Sequence, residues 1–314
     1  MPSGEDDDSV DSFLREAAAI SELALDEPLG VLSLEVGELV GARFTVEAHA
    51  GSGGMGAVYR ARDLSTGGHA ALKIVARPRQ SYAERFAREA KVLAELSHPA
   101  IVRYLAHGAT PKGLPFLAME WLEGEDLAAR LERSDLGVSE SLVLVRRACE
   151  GLAVAHAQGV VHRDIKPSNL FLVDGRPDAC RVIDFGIARL DVGAHTLTRP
   201  GTSLGTAGYM APEQALEATD VDARADVYAL GCVLYECITG RPAFTGRPVA
   251  IIAKVLRDLP PPPSALRPEL GGALDSLVMR LLAKDRSARP NDAADLLRAI
   301  DALSLPPLSL PPPP

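Results

Sequence analysis

HRDIKPSN at residues 162–169 is the stretch that decides the fold, and DFG at residues 184–186 and APE at residues 211–213 follow it. Directly before it, residues 139–158 carry apolar side chains at helical spacing, and Gly159 is placed as a C-terminal cap. Helices are also predicted after the motifs, at about residues 223–239, 274–282 and 293–303. The second part of the chain is therefore predicted to be rich in helices.

The part of the chain upstream of these motifs has strand character instead. Residues 43–50 predict a strand that runs into glycines, residues 57–62 predict its antiparallel partner, and residues 69–75 predict a further apolar strand. Residues 81–97 predict one helix, which begins with a capping box. A strand-rich first part before a helix-rich second part indicates an α+β architecture with two lobes.

A glycine-rich segment joins the first two predicted strands. In a dinucleotide fold or a P-loop, the phosphate would lie at the start of a following helix, but here the chain re-enters a strand at Ala57. Glycines let such a hairpin close over phosphates and offer backbone N–H groups to them, although a glycine hairpin without a ligand is the alternative. The predicted phosphate-binding residues are Gly51, Ser52, Gly53, Gly54, Met55 and Gly56.

Lys73 lies within the apolar strand AALKIV, where a charged side chain needs a partner. Glu89, on the predicted helix at residues 81–97, could supply that partner and leave the ammonium group to hold phosphate oxygens. The alternative for either residue alone is a solvated lysine at a sheet edge and an unrelated surface glutamate. The context of the other motifs favours the paired interpretation.

With its glycine hairpin, VAIK-like lysine, HRD-x4-N, DFG and APE motifs in this order, the chain resembles the eukaryotic-like (Hanks-type) protein kinases. GTAGYMAPEQ at residues 205–214 is similar to their bacterial serine/threonine branch. The resemblance covers residues 40–303 and implies the bilobal kinase fold, with a small antiparallel sheet and one regulatory helix before a mainly helical lobe. It also implies transfer of the ATP γ-phosphoryl group to Ser or Thr hydroxyls of proteins.

The resemblance assigns the chemistry to a few polar residues. Asp164 accepts the proton of the substrate hydroxyl, and Lys166 places positive charge beside the transferring phosphoryl group. Asn169 and Asp184 supply oxygen ligands to magnesium, a hard cation that bridges phosphates, with manganese as an alternative. The expected cofactors are therefore ATP and Mg²⁺ or Mn²⁺, and Lys166 points to serine or threonine substrates.

The adenine pocket is also assigned by resemblance. The hinge follows Met119 in the sequence. Its residues Glu120 and Leu122 are expected to present backbone groups to the base. Phe171 is bulkier than the aliphatic residue usual at its position, which changes the expected shape of the pocket. The apolar walls are Val58, Ala71 and Phe171.

Two sets of residues are expected to support the site. An apolar column that joins the lobes comprises Leu93, Tyr104, His162, Phe185 and Asp226. Within it, Phe185 packs against the helix that carries Glu89, and Gly186 gives the following segment its backbone freedom. Glu213 and Arg289 match a buried ion pair beneath the platform that receives the substrate.

The segment between Asp184 and Glu213 is predicted to control activity. Arg163 precedes the catalytic aspartate, so a phosphate on this segment could pair with it and order the loop. Autophosphorylation is therefore expected, and Thr206 is expected to contact the catalytic loop instead of accepting phosphate. The favoured sites are Thr196, Thr198 and Thr202.

Composition sets outer limits on function. The 314 residues include 47% hydrophobic and 24% charged side chains, as in a globular protein. A net charge of -9 argues against nucleic-acid binding. Apolar runs are too short to cross a membrane, and the acidic start does not look like a secretion signal, which together predict a cytoplasmic protein. The four cysteines lack metal-ligand spacing and are expected to be buried thiols.

The expected organisation has three parts. Residues 1–37 form an acidic extension, residues 38–303 the kinase domain and residues 304–314 a proline-rich tail. Within the domain, the N-lobe covers residues 38–119, the hinge residues 120–124 and the C-lobe residues 125–303. The expected partners are ATP, protein substrates and a transient homodimer for autophosphorylation.

Two other function classes compete with this interpretation. A pseudokinase would bind nucleotide as a scaffold, but the intact polar residues of the motifs argue against it. A small-molecule phosphotransferase shares the two-lobed fold, but the APE motif and the long activation segment form a docking surface for a peptide. Labelled ATP with a generic protein substrate and the Asp164→Asn variant separates the three.

Overall fold

A computed structural model of the chain describes residues 34–53, 56–75, 90, 92–185 and 206–303. An antiparallel sheet forms a first lobe, and most of the described helices form a second lobe beyond residue 126. The α+β, two-lobed architecture predicted from the order of strand and helix signals is confirmed.

The N-lobe is built on a six-stranded antiparallel sheet with the order β1-β2-β3-β4-β6-β5. Along β4 the side chains of Ala70, Leu72 and Ile74 are buried in the core of this lobe, whereas Lys73 lies on the opposite face. The alternation of a strand thus turns Lys73 away from the apolar core. The strands are β1 Leu39–Val40, β2 Phe44–Gly53, β3 Gly56–Asp63, β4 His69–Val75, β5 Tyr104–Ala109 and β6 Pro115–Glu120.

The turn between β3 and β4 is organised by one buried carboxylate. Asp63 accepts hydrogen bonds from Nε and Nη2 of Arg43 at 2.8 and 2.7 Å, from the backbone and hydroxyl of Ser65, and from the hydroxyl of Thr66. The hydrogen bonds from Arg43 lower the pKa of Asp63 far below its usual range despite burial. Asp63 therefore fixes the start of β2 to this turn.

The C-lobe combines a three-stranded sheet with helices. The sheet consists of β7 Gly124–Asp126, β8 Leu170–Val173 and β9 Cys180–Val182, in that order. The helices are α1 Leu127–Arg133, α2 Val138–Ala157, α3 Pro212–Ala215, α4 Arg224–Thr239, α5 Pro248–Arg257, α6 Pro263–Leu266, α7 Gly271–Leu281 and α8 Ala293–Asp301. Short 3-10 turns occur at Pro167–Asn169, Pro177–Ala179, Thr206–Tyr209, Pro268–Leu270 and Arg286–Ala288.

Helix α4 is the centre of the C-lobe, because it is buried on almost every side. A side chain on Gly231 would bring its Cβ within 2.6 Å of Leu281 Cβ, so α4 and α7 approach each other closely there. Gly240 ends α4 in a left-handed conformation with φ of 69°.

Several element boundaries differ from the predicted ones. Strand β2 continues into Gly53, beyond the predicted end at residue 50, because the glycines still pair with β3. Helix α5 is not among the predicted helices, although Ile251, Ile252 and Val255 place its buried side chains at helical spacing. Of the predicted helix at residues 81–97, only residues 90 and 92–95 are described as helical.

The described residues also bear on two compositional expectations. All four cysteines are buried and free, as expected for thiols that serve packing. Among the helices of the described ranges, none combines the length and apolar character that crossing a bilayer requires.

Candidate active site

The catalytic loop between α2 and β8 brings three predicted polar residues together. Lys166 Nζ donates to Asp164 Oδ2 at 3.0 Å. Asn169 Nδ2 donates to the same carboxylate oxygen at 3.1 Å and to the backbone oxygen of Asp164 at 2.7 Å. The Asp164 carboxylate is thus held by a cation and an amide, with 10% of its side chain exposed.

A buried aspartate on α4 fixes the backbone of this loop. Asp226 accepts hydrogen bonds from the backbone N–H groups of His162 and Arg163, each at 2.7 Å. Its Oδ2 also lies 2.9 Å from Nε2 of His156 on α2, whose Nδ1 accepts from the backbone of Ala293 at 3.2 Å. The catalytic loop is therefore attached to α2, α4 and the start of α8.

Lys73 reaches across the cleft to the DFG motif. Its Nζ lies 2.8 Å from Asp184 Oδ1. Desolvation opposes ionisation of Asp184, but the charge and hydrogen bond of Lys73, together with smaller charge contributions from His162 and Lys166, outweigh it, so the pKa of Asp184 is lowered. Glu89, the partner predicted for Lys73, lies outside the described residues.

Asn169 and Asp184 are neighbours, because the backbone N–H of Ile183 donates to the Asn169 carbonyl at 3.0 Å. The Asn169 amide nitrogen is directed at Asp164, so its side-chain oxygen is the atom suited to a cation. Over the described ranges, no group of three or more His, Cys, Asp or Glu side chains is placed to hold a metal ion. An amide oxygen and one carboxylate suit magnesium, which completes its shell with phosphates and water.

The glycine-rich segment forms a hairpin between β2 and β3. Gly51 pairs with Val58 and Gly53 with Gly56, so the chain turns back from strand into strand as predicted. The ring of His49 hydrogen-bonds the Ser52 hydroxyl at 2.8 Å next to this turn. Gly54 and Met55 lie outside the described residues.

The residues assigned to the adenine pocket come from the N-lobe sheet, from the segment that follows β6 and from strand β8 of the C-lobe sheet. Val58 is paired with Lys73 and Ala71 with Met119 across the N-lobe sheet. Val58, Ala71, Leu122 and Phe171 are half-buried, as expected of side chains that line an open cleft, whereas Met119 is buried. Glu120 ends β6 at the start of the hinge.

The predicted column is present in part among the described contacts. The rings of His162 and Phe185 lie 4.6 Å apart, and Leu93 packs against the same apolar cluster as Phe185. Tyr104 belongs to the neighbouring cluster around Val75 and Met119. Its hydroxyl hydrogen-bonds His107 at 2.5 Å.

Most of the predicted activation segment lies outside the described residues. This includes Gly186, Thr196, Thr198 and Thr202. Thr206 begins the short 3-10 turn Thr206–Tyr209, and its side chain is not among those described.

Beyond this turn, the chain forms a surface beside the catalytic loop. Gln214 Nε2 donates to the backbone oxygen of Arg163 at 2.9 Å. A concavity next to Asp164 is lined by Arg163, Ile165, Tyr209, Met210, Gln214 and Ala229.

Glu213 and Arg289 form the predicted ion pair. Arg289 Nη1 and Nη2 donate to the two carboxylate oxygens at 2.7 and 3.0 Å. The Arg289 side chain is fully buried and also donates to the backbone oxygens of Ala283, Arg224 and Lys284. The pair therefore anchors α3 to the chain segment before α8.

Two supporting residues were not predicted. His156 is a polar residue next to the buried positions Leu152 and Ala155 of α2, and that placement is the one signal it gives. Arg181 pairs with Glu120, but nothing in the order of the motifs connects a residue of β9 with the hinge.

Comparisons with known proteins agree with this geometry. The family model for the protein kinase domain matches residues 44–299. Serine/threonine-protein kinase PknB of Mycobacterium tuberculosis is 40% identical over 256 residues, which cover 78% of this chain and 40% of PknB. Serine/threonine-protein kinase pkn3 of Myxococcus xanthus is 38% identical over 282 residues, which cover 85% of this chain and 51% of pkn3.

A solved structure shows the same fold. The crystal structure of the Mycobacterium tuberculosis PknI kinase domain superposes with a TM-score of 0.68 and 29% identity, covering 86% of this chain and 99% of that domain. The chain spans between 40% and 51% of the length of PknB and pkn3. From the motifs, the site and these matches, the chain belongs to the protein kinase family, in its bacterial, Hanks-type serine/threonine branch.

Proposed function

We propose that this chain transfers the γ-phosphoryl group of ATP to serine or threonine hydroxyls of proteins. The observation that carries the proposal is the convergence around Asp164. Lys166 and Asn169 contact its carboxylate, while Lys73 from the other lobe reaches Asp184 beside Asn169. These are the ammonium, amide and carboxylate groups that phosphoryl transfer needs in one place.

The polar side chains have separate roles in this proposal. Asp164 accepts the proton of the attacking hydroxyl, and the hydrogen bonds from the Asn169 amide and the Lys166 ammonium group orient its carboxylate. Lys166 also offsets negative charge that develops on the transferring group. Lys73 would exchange part of its contact with Asp184 for phosphate oxygens when nucleotide binds.

Asn169 and Asp184 would hold the divalent cation, which we propose is magnesium. Bound there, the cation would neutralise phosphate charge and orient the phosphates. The oxygen ligands are close because the Asn169 carbonyl accepts from the backbone N–H of Ile183, the residue before Asp184. Lys73 helps to keep the pKa of Asp184 low, so its carboxylate is ionised at neutral pH.

We propose that protein substrates bind at the surface next to Asp164. The concavity lined by Tyr209, Met210 and Gln214 opens beside the carboxylate that would receive the hydroxyl proton. Gln214 also contacts the backbone of Arg163, so the residues that would receive the peptide are joined to the catalytic loop. We propose that this surface selects a peptide segment over a free small molecule.

The decisive experiment is phosphoryl transfer from labelled ATP, with magnesium, to a generic protein substrate. We expect labelled phosphoserine or phosphothreonine with the wild type, and a rate lower by a factor of about 10² to 10⁴ with Asp164→Asn. Asp178→Asn is the matched control, because the side chain of Asp178 forms an exposed ion pair with Arg176 in the same lobe.

Other outcomes would contradict the proposal in distinct ways. Nucleotide binding without labelled protein would favour the scaffold function. Labelling of small alcohols or amines in preference to protein would favour a small-molecule phosphotransferase. Equal labelling by the wild type and Asp164→Asn would remove Asp164 from its proposed role.

We also propose that the kinase activates itself through Thr196, Thr198 or Thr202, in a transient homodimer. The supporting residue is Arg163, an exposed residue of the catalytic loop whose guanidinium group donates to the Val221 carbonyl at 3.5 Å and could pair with a phosphate. Mass spectrometry after incubation with ATP tests this. Absence of phosphate from residues 191–206 in an active preparation would contradict it.

A further inference from the structure

The side chain of Glu120 joins the hinge to the chain segment before β5. The Glu120 backbone N–H donates to the Arg103 carbonyl at 2.9 Å, and the Arg103 backbone N–H donates to Glu120 Oε1 at 2.8 Å. Two hydrogen bonds in opposite directions therefore fix this hinge residue against residue 103. The hinge backbone has little freedom to rotate at this point.

The same carboxylate oxygen reaches the C-lobe. Glu120 Oε1 accepts a hydrogen bond from Arg181 Nη1, and Arg181 lies in the middle of β9. The two side chains are 18% and 27% exposed, so the contact is partly protected from solvent. One carboxylate thus contacts the N-lobe side of the cleft and the small sheet of the C-lobe.

Strand β9 leads directly into the residue proposed to hold the cation. Arg181 is paired with Phe171, a proposed wall of the adenine pocket, and lies three positions before Asp184. The next residue, Val182, exchanges backbone hydrogen bonds with Ala100 and Val102 at 2.8 and 3.0 Å. The hinge, β9 and the segment at residues 100–103 are therefore each in contact with the other two.

We propose that the Glu120–Arg181 pair positions the two ends of the nucleotide site relative to each other. It sets the distance between the hinge backbone, where the base would bind, and Asp184, where the phosphates and cation would bind. Neither side chain has to contact the nucleotide. The inference rests on the proposed function, because it assumes that the hinge and Asp184 serve one bound nucleotide.

The pair is poorly suited to a role in stability alone. A partly exposed ion pair contributes little to the free energy of unfolding, because water and salt screen it and both side chains lose freedom. Its effect on geometry can be larger, since a small displacement between two halves of a binding site weakens every contact of the ligand. We therefore expect its loss to change nucleotide binding more than thermal stability.

The test compares Glu120→Gln, Arg181→Gln and the double variant with the wild type. Calorimetry gives the Kd for ADP with magnesium, steady-state kinetics give KM for ATP and kcat, and thermal unfolding gives Tm. Each single variant is expected to raise Kd and KM about fivefold, with a smaller change in kcat. The double variant is expected to match the larger single effect, because both substitutions remove one interaction.

Two further variants sharpen the test. Arg176→Gln is the matched control, because it removes an exposed arginine from the pair with Asp178 just before β9, and it should leave Kd and KM unchanged. Arg181→Lys keeps the charge and should recover part of the lost affinity. A lower Tm with unchanged Kd and KM would overturn the inference, as would additive effects of the two single substitutions.

Failure of the proposed function gives a different pattern. A wild type that binds ADP but transfers no phosphate would contradict the kinase activity, while the Kd values of the variants would still test the Glu120–Arg181 pair. A wild type that transfers phosphate, with variants indistinguishable from it in Kd, would contradict only the pair.

Discussion

Two non-glycine residues of the site have backbone conformations that L-residues rarely adopt. Arg163 has φ of 64° and Asp184 has φ of 58°. Each such residue costs about 1 kcal/mol, and the conformation persists only where neighbouring groups enforce it. Asp226 enforces it at Arg163 through the backbone N–H, and the contact with Lys73 holds the side chain of Asp184. Specific polar contacts therefore hold both of these residues of the proposed catalytic site.

Asp226→Asn is predicted to impair catalysis more than nucleotide binding. The amide would leave one acceptor oxygen for three donors, the N–H groups of His162 and Arg163 and the ring of His156. The backbone before Asp164 would then relax. We expect kcat to fall about tenfold or more, with little change in KM for ATP.

Steady-state kinetics check this prediction, with Asp222→Asn as the control. Asp222 lies before the same helix, and its side chain accepts from the Arg224 backbone N–H at 3.0 Å instead of from the backbone of the catalytic loop. A folded Asp226→Asn variant with kcat within about twofold of the wild type would contradict the role of Asp226.

At the scale of elements, local pattern predicted much of the fold. β3 and β4 were predictable because each is a short run between turn signals, and α4 and α8 because apolar residues recur at helical spacing. Strands β5 and β6 show no such alternation, since β6 is buried almost throughout and β5 is partly buried up to an exposed last residue.

The contacts within the site could likewise be predicted from the sequence only in part. HRDIKPSN places Asp164, Lys166 and Asn169 within one loop, so their proximity could be expected from sequence alone. The contact of Glu120 with Arg181 depends instead on how β6 and β9 are arranged around the hinge. No local pattern encodes that arrangement, because it results from the packing of both lobes.

Helix packing gives a prediction at Gly231. Alanine usually stabilises a helix interior relative to glycine. At Gly231, however, the new Cβ would lie 2.6 Å from Leu281 Cβ, so α4 and α7 would have to separate. We expect Gly231→Ala to lower the free energy of unfolding by about 1 to 3 kcal/mol in urea titrations.

Gly272→Ala is the matched control, because Gly272 also lies in a helix but has open space around the position of a Cβ. That variant should be neutral or slightly stabilising. Equal stability of the two alanine variants would contradict the close approach of α4 and α7.

The turn at Asp63 gives a pH-dependent prediction. Its folded-state pKa lies below the unfolded value of about 4, so the ionised carboxylate stabilises the fold fully above that pH and progressively less as pH falls. Asp63→Asn should cost about 2 kcal/mol at pH 7. The difference from the wild type should shrink below about pH 4 in urea titrations. A difference that stays constant from pH 7 to pH 3 would contradict the ionised state of Asp63.

For the whole molecule, the apolar core is divided between the lobes. One cluster fills the C-lobe around α4 and includes Phe185, and a second lies under the N-lobe sheet. A third, smaller cluster brings Val75 and Met119 together with Leu122 of the hinge and Ile183, which precedes Asp184. In the described part of the cleft, this small apolar cluster and the Glu120–Arg181 pair therefore both connect the hinge to the chain around Asp184.

The Glu213–Arg289 pair connects parts of the C-lobe that are far apart in sequence. Arg289→Ala would leave the Glu213 carboxylate, 10% exposed, without its cation and would remove the guanidinium group from the face of Tyr228. Loss of one partner of a buried pair costs about 3 to 5 kcal/mol. Because Gln214 follows Glu213 and contacts the backbone of Arg163, phosphoryl transfer should fall as well.

Urea unfolding at neutral pH, with transfer of labelled phosphate at a temperature where the variant is folded, checks both effects of Arg289→Ala. Arg286→Ala is the control. Arg286 lies three residues before Arg289 but forms an exposed pair with Asp220, so its loss should leave the unfolding midpoint nearly unchanged. Glu213→Gln should also lower the free energy of unfolding. The double variant should be destabilised by less than the sum of the two single effects, because both substitutions remove the same ion pair. If Arg289→Ala and Arg286→Ala unfolded at the same urea concentration, the buried pair would have no special part in holding the substrate surface against the catalytic loop.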